Sequence, residues 1–446
     1  MTQLTVLVLC TSFVIFLLWL EHKQAKGVGS AIWVPAIWMI YISSRPLGAW
    51  FRKTTEDLES GSPLDRVFLS ILIIVALWVL SRRKFPWSSA LKDNPWLIVL
   101  VVLMLISILW SSIPAISFKR WIREFQAILM AFFILSEPSP HQAIKSIIRR
   151  TGYVLIPFSL LLIKYFPVYG VSFGRWNGQR MWIGVTQQKN GLGLLCIIVS
   201  MFLIWSLIRR LQGNNPRVWK YETHVEILVL LMAFWLMRGP RGQVYSATSI
   251  IALGLGLIIY GMFYFSKKNG KLIGAGVPVI IIVVIIIYGI VTVYTGEVKF
   301  GSLATAMGRR PTLTDRTAIW ARLIPVVKQK PLIGGGFGGF WTPQTRILYR
   351  ISGAHSGYLD ILLELGFVGI FLFSAYYLTS FRKAYRILPY DFDWGILWIC
   401  YIMMTVVHNI SESSINSLAE PLPAIVLFFT LSSLNVSPSD NNHSGV

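Results

Sequence analysis

Apolar runs separated by short polar connections recur along this chain, the longer ones of roughly 15 to 23 residues and several shorter, and the longer length suits a helix crossing about 30 Å of hydrocarbon. They lie at Leu4–Leu20, Ala31–Ile42, Val67–Leu80, Trp96–Trp110, Phe125–Leu135, Tyr153–Phe166, Gly191–Leu207, Val225–Met237, Thr248–Phe265, Leu272–Val293, Gly357–Thr379, Gly395–Val407 and Leu422–Leu434. The pattern predicts an all-α membrane protein, a polytopic helical bundle of about 12 or 13 transmembrane helices, with residues 1–446 forming one membrane domain. The first run starts at Leu4 with no basic stretch before it and no small-residue cleavage site after it, which predicts an anchor rather than a cleaved leader.

One interval breaks the rhythm. Residues 294–356 are polar, basic and glycine-rich, and they lead His355 into the start of an apolar helix. Placed outside, this large loop leaves the connections 81–95, 137–152, 209–224, 266–271 and 380–392 inside, each rich in Lys and Arg, as short cytoplasmic loops are. Within the loop, Thr314-Asp315 reads as a helix start, and Ile319, Leu323 and Val326 form an apolar stripe, which predicts a short amphipathic helix lying on the membrane.

Composition narrows the class. With 55% hydrophobic residues, 13% charged and a mean hydropathy of +0.63, the chain has more apolar surface than a soluble domain buries. Cys10, Cys196 and Cys400 all lie in apolar runs and predict neither disulfide nor metal site. Forty-one basic against 19 acidic residues give a net charge of +22. Many of these cations fall on the predicted outer side, among them Arg45, Lys119, Arg120, Arg123, Lys189, Arg238 and Arg241. Orientation pressure disfavours cations there, so they predict an anionic partner at the outer face, a diphosphate or acidic lipid rather than nucleic acid.

Candidate chemistry collects on that side. His355 precedes Ser356, a natural N-cap, so an imidazole able to act as base near neutral pH stands at a helix mouth. Arg316 and Trp320 are four apart and share a helix face, where a guanidinium can grip phosphate oxygens bidentately. Arg238-Gly239-Pro240-Arg241 puts two arginines at a turn between spans, expensive at membrane depth without an anion. Arg45 and Lys189 sit in polar runs at helix ends that could line the same chamber. Asp360 and Glu364 lie four apart inside an apolar helix, either as supporting partners for an arginine and proton-relay members or as a structural polar pair. His408-Asn409 leads into Ser411-Glu412-Ser413-Ser414, a polar loop that could close over the site. Gly334–Trp341 lacks the Lys-Ser/Thr of a nucleotide loop and predicts flexibility with aromatic anchors at the interface. Each of these also has a plainer reading, as an interfacial anchor or a snorkelling cation.

Together these residues resemble the O-antigen ligase and O-antigen polymerase superfamily of bacterial inner-membrane proteins. The ligase signature, His then Asn, Ser or Gln, nine residues and Gly-x-x-Gly, is matched by His355-Ser356, residues 357–365 and Gly366-Phe367-Val368-Gly369. Arg316 and Trp320 match an Arg-x-x-x-Trp element, and Lys189-Asn190-Gly191-Leu192-Gly193 looks like the Lys-Asn-x-Leu-Gly of exopolysaccharide-type members. A Ser/Thr-Arg element of the family has two counterparts, Arg238 and Arg241, neither preceded by Ser. The specific part covers 185–370.

The resemblance implies a bundle of the membrane-glycosyltransferase type with one large extracytoplasmic loop. It implies metal-independent glycosyl transfer from an undecaprenyl diphosphate-linked saccharide, without cofactor. Arg316 and Arg241 (or Arg238) would hold the diphosphate and His355 would orient or deprotonate the acceptor hydroxyl. The acceptor would be a growing glycan for a polymerase, or lipid A-core or another acceptor for a ligase. Membrane lipids and other polysaccharide-assembly proteins would be its partners. A transporter of an anionic lipid-linked glycan is the alternative of another class, although such a protein would more naturally carry an internal repeat. Because a point charge cannot replace a bidentate fork, Arg241→Lys is expected to lower polysaccharide output severalfold in a complemented deletion strain; full output would move the diphosphate contact elsewhere.

Overall fold

A computed structural model of the protein describes residues 2–25, 27–51, 62–83, 87–174, 178–212, 221–240, 245–270, 273–274, 276–295, 316–351 and 353–433. In chain order the helices are α1 Gln3–Gln24, α2 Trp33–Ile42, α3 Leu47–Phe51, α4 Pro63–Ser81, α5 Trp87–Lys92, α6 Pro95–Ile106, α7 Pro114–Leu135, α8 Pro140–Tyr165 and α9 Pro167–Gly170. They continue as α10 Lys189–Gln212, α11 Tyr221–Arg238, α12 Ala247–Lys268, α13 Gly276–Thr295, α14 Arg316–Gln329, α15 Pro343–Tyr349, α16 Gly357–Ile387, α17 Phe392–His408 and α18 Pro421–Ser432. Proline opens α4, α6, α7, α8 and α18, where its fixed φ suits the first turn and its missing N–H has no partner to lose. Between α9 and α10, the strands β1 Val171–Phe173 and β2 Arg180–Trp182 pair antiparallel, Ser172 opposite Met181.

The architecture is that of an all-α multi-pass membrane protein. Among the described residues, α1, α4, α8, α10, α12 and α16 are long and apolar enough to cross a membrane. α1 and α4 leave most of their apolar side chains uncovered, as lipid-facing helices do, whereas α17 and α18 are almost wholly buried, with Trp394, Trp398, Tyr401 and Phe428 at the centre.

Two helices extend well beyond their apolar runs. α7 starts at Pro114 rather than Phe125 and α8 at Pro140 rather than Tyr153. Their added turns carry charges that raw hydropathy penalises and the bundle neutralises. Arg150 pairs with Glu21 at 2.6 Å and Arg149 with Glu226 at 3.2 Å, while Glu124 accepts from Ser417 Oγ at 2.7 Å and the Leu418 N–H at 2.5 Å. A charge paired in this way no longer costs its full burial. At the end of the bundle that carries Arg149 and Arg150, Arg83 also meets Glu137 and Arg210 meets Glu222 and Glu226.

α16 is broken. Gly366 has φ 63° and ψ −158°, a conformation essentially confined to glycine, so residues 357–365 and 367–387 form two helical halves. The break leaves carbonyls and N–H groups without intrahelical partners in the buried interior of the bundle, where each would be costly. The chain after α14 supplies them. Gly335 N and Gly336 N donate to Leu363 O and Glu364 O at 2.8 Å each, and Phe367 N and Val368 N donate to Pro331 O at 2.8 Å and Leu332 O at 3.1 Å. Such backbone-to-backbone approach leaves no room for side chains: a Cβ on Gly366 would lie 2.4 Å from the Leu332 carbonyl. The stretch read from sequence as flexible is therefore a packed, hydrogen-bonded segment; Phe337 is 4% exposed and its N–H donates to Ser107 Oγ at 2.9 Å.

Gly366→Ala is expected to lower the unfolding free energy by more than the ~1–3 kcal/mol of backbone strain alone, because the new methyl also meets the Leu332 carbonyl. Gly254→Ala, which meets nothing within 4 Å, serves as the control. Thermal unfolding in detergent reads the difference, and equal midpoints for the two variants would contradict this account of the break.

Candidate active site

The first half of α16 carries the histidine to the same end of the bundle as the N-termini of α10, α12 and α14 and the C-terminus of α17. Residue 355 has φ 51°, a left-handed conformation uncommon outside glycine, and its surroundings impose it. On one side the Trp320 indole Nε1 donates to Ala354 O at 2.9 Å. On the other, Asp360 faces the Ala354 main chain and accepts from Trp341 Nε1 at 2.7 Å and from Ser413 Oγ. Two buried tryptophans and a buried carboxylate thus fix the peptide that aims His355.

Ser356 occupies the N-cap position, but its hydroxyl makes no capping bond and is buried without a partner. The cap comes from elsewhere. The Gly357 N–H donates to Asn409 O at 3.0 Å and Glu412 O at 2.8 Å, which ties the segment between α17 and α18 to the start of α16.

That segment brings in Glu412, 5% exposed. Its Oε1 accepts from Arg316 Nη2 at 2.5 Å and from Asn190 Nδ2 at 2.6 Å. One carboxylate oxygen therefore joins α14, α10 and the 409–420 segment. His355 feels Glu412, Arg316 and Lys189 electrostatically, so these groups surround one half-buried imidazole. Burial is the largest influence on it and moves its pKa below the ordinary histidine value; Arg316 and Lys189 push the same way and Glu412 opposes them. At neutral pH the imidazole is neutral and able to accept a proton. His408, buried nearby, has both ring nitrogens without partners.

The other residues singled out from sequence fall as follows. α14 exists and starts at Arg316, but its buried face runs through Trp320, Leu323, Ile324 and Val327 and packs against α13 and α16, whereas Ile319 and Val326 are only half-buried. The helix is docked on the bundle through that face. Asp360 acts on the Ala354 turn, while the Glu364 carboxylate faces Gly338 and Arg120 in the glycine segment. The Arg45 guanidinium is buried and donates to the carbonyls of Val185, Tyr169, Gly184 and Thr186 at 3.4, 2.6, 2.8 and 3.0 Å, so it pins the segment leading into α10. Arg238 is exposed in the last turn of α11, and Gly239 beyond it has φ 69°. Arg241 lies outside the described residues. The described chain resumes at Tyr245, and the first turn of α12 lies beside the 409–420 segment, Thr248 Oγ1 hydrogen-bonding Ser411 Oγ at 2.8 Å. Glu412 and Asn190 acquire from the structure a weight that sequence did not give them individually.

Residues 244–374 match the O-antigen ligase family, a stretch that contains Arg316, Trp320, His355 and the broken half-helix. The match spans 131 of the chain's 446 residues. It is also 23% identical over 346 residues to the exopolysaccharide production protein ExoQ of Rhizobium meliloti (strain 1021), covering 73% of this chain and 74% of that protein. The signature His355-Ser356…Gly366-x-x-Gly369 of the O-antigen ligase domain has a physical content here: its first end is the strained residue at the helix mouth and its second is the helix break.

Trp320→Phe keeps most of the buried volume and deletes the donor to Ala354 O. It is expected to cost about 1 kcal/mol of stability, against about 3–5 kcal/mol for Trp320→Ala. Thermal unfolding in detergent measures both; a Phe variant as damaged as the Ala variant would assign the indole N–H far more than a hydrogen bond.

Proposed function

We propose that the protein transfers glycan from an undecaprenyl diphosphate-linked donor to an acceptor hydroxyl at the outer face of the bacterial inner membrane, in exopolysaccharide or O-antigen assembly. The observation that carries this reading is the placement of the Arg316–Glu412 ion pair at the helix mouth that His355 precedes, where the Gly357 N–H donates to Glu412 O at 2.8 Å. A sugar leaving with a diphosphate needs its developing negative charge held, and a planar arginine fork does that. An acceptor hydroxyl needs its proton removed as the glycosidic bond forms, and His355 is the base for it. Arg241 or Arg238 and Lys189 complete the donor end; Arg45 pins the segment leading into α10, Trp320 and Asp360 hold the Ala354 peptide, and Glu364 faces the glycine segment. The reaction uses no metal, the arginines carrying the charge, and residues 185–370 form its core with 294–356 as the large outer loop.

Of the two acceptor classes, a growing glycan is favoured over lipid A-core. Asn190, in the Lys189-Asn190 element that resembles exopolysaccharide-type members, donates to Glu412 inside the site, and the named relative is an exopolysaccharide production protein.

The test is a gel profile of surface and carrier-linked polysaccharide from a deletion strain complemented with wild type, His355→Ala or Arg316→Ala. Both variants are expected to insert normally and lose product by on the order of 100-fold or more. Single repeat units left on the carrier indicate a polymerase, and full-length chains left there a ligase. Wild-type output from both variants would sink the assignment.

The pH dependence follows from the direction of the histidine shift. Burial disfavours the imidazolium, so the base form is fully present at neutral pH and is lost only as pH falls through the lowered pKa. The acid limb of activity in purified protein should therefore lie below the ordinary histidine value of about 6.5. A limb at or above that value would contradict the role given to His355.

A further inference from the structure

We propose that Glu412 is a resident counter-ion which the donor diphosphate displaces from Arg316, and that the released carboxylate then serves His355. The inference rests on the reading of Arg316 as a diphosphate ligand and adds a positioning residue to it.

The geometry points to exchange rather than to a permanent brace. The Arg316 contact to Glu412 runs through Nη2 to Oε1, and that same oxygen also takes the Asn190 amide. One acceptor oxygen shared by two donors is a poorer match for a guanidinium than a phosphate presenting two oxygens to its fork. Both side chains are largely buried, 12% and 7% exposed, so neither charge can be left alone. An arginine awaiting an anion in such a site needs a stand-in, and the Glu412 carboxylate is one.

The carboxylate also has somewhere to go. Glu412 is the anion that opposes Arg316 and Lys189 at His355, so it already lies within electrostatic reach of the imidazole. Asp360, the other carboxylate nearby, is occupied by Trp341 and Ser413. His408, from α17, lies within reach of Glu412 and has unpartnered nitrogens. With the donor bound, Arg316 turns its fork to the diphosphate, and Glu412, still accepting from the Asn190 amide, is left facing the two histidines. In transfer, the acceptor oxygen forms its bond to the anomeric carbon as its proton passes to the His355 imidazole. The bond from that carbon to the diphosphate oxygen breaks, and the diphosphate departs with the electron pair. The new imidazolium then has an anion beside it. When the diphosphate leaves the protein and His355 returns its proton to solvent, Glu412 recovers Arg316.

Exchange makes an unusual prediction: removing the carboxylate's charge improves donor-side binding while it harms turnover. A brace would do the reverse, since Arg316 would lose its placement. The full-length protein in lipid nanodiscs is titrated with undecaprenyl diphosphate as the probe. Glu412→Gln keeps the shape and the acceptor for Asn190, and it is expected to bind the probe about tenfold more tightly than wild type, whereas Arg316→Ala binds it at least about tenfold more weakly. Polysaccharide output in the complemented strain falls for Glu412→Gln and recovers in part for Glu412→Asp, which keeps the charge. Unchanged or weaker binding by Glu412→Gln, with Arg316→Ala still weak, would overturn the exchange and leave the diphosphate reading standing. If Glu412→Gln proves not to fold, Glu412→Asp, whose shorter side chain draws back from Nη2, must bind the probe more tightly than wild type, or the exchange is wrong. Equal binding by wild type and Arg316→Ala would remove the diphosphate reading itself, and the exchange with it.

Discussion

Four main-chain hydrogen bonds join Pro331–Gly336 to Leu363–Val368 across the break in α16, and the geometry of the candidate site depends on them. A transmembrane helix cannot stop midway unless its freed donors and acceptors are met, because nothing in hydrocarbon will meet them. Here a glycine segment does so, and its glycines allow backbone to lie directly on backbone. The consequence reaches His355. The half-helix 357–365 is short and anchored at its lower end by the break, while its upper end is held by Asn409 and Glu412 at Gly357. Asp360, one turn in, clamps the turn that precedes it. The left-handed conformation of His355 is the result of these constraints, and its strain is supported by the surrounding tryptophans.

A second constraint is charge. At the end of the bundle that carries the paired interior arginines, Arg149, Arg150, Arg83 and Arg210 each meet a carboxylate. At the opposite end the ion pair described is Arg316–Glu412, and Arg45 is satisfied by carbonyl oxygens. Charge is thus neutralised differently at the two ends. Internal carboxylates make the first a fixed part of the bundle, whereas the second, with Arg316, Lys189 and Arg238 near it, suits an anion that comes and goes.

The spans were legible because their apolar length is a direct imprint of the bilayer, and His355–Gly369 was legible because its spacing is fixed by one half-helix. What escaped was partnership across long sequence separations. Glu412 meets Arg316 across 96 residues, and nothing local distinguishes it from any polar residue at a loop tip; the available hint was a carboxylate in a loop on the side rich in cations. Arg45 shows the converse. From sequence it is one more outer cation, and only the fold reveals the four carbonyls that absorb it. The glycine segment misled for a related reason: a run of glycines signals that backbone comes close to something, without saying that the something is a broken helix. The early turns of α7 and α8 were missed because hydropathy counts a paired charge as though it were bare.

The central claim is that the mouth of the broken helix receives a lipid diphosphate. The most direct measurement is an electron cryomicroscopy structure of the full-length protein in nanodiscs with undecaprenyl diphosphate bound. Diphosphate density is expected against the Arg316 guanidinium, beside His355, with the Glu412 carboxylate withdrawn from Nη2. Diphosphate density at the opposite end of the bundle, against Arg149 and Arg150, with the Arg316–Glu412 pair intact, would contradict it.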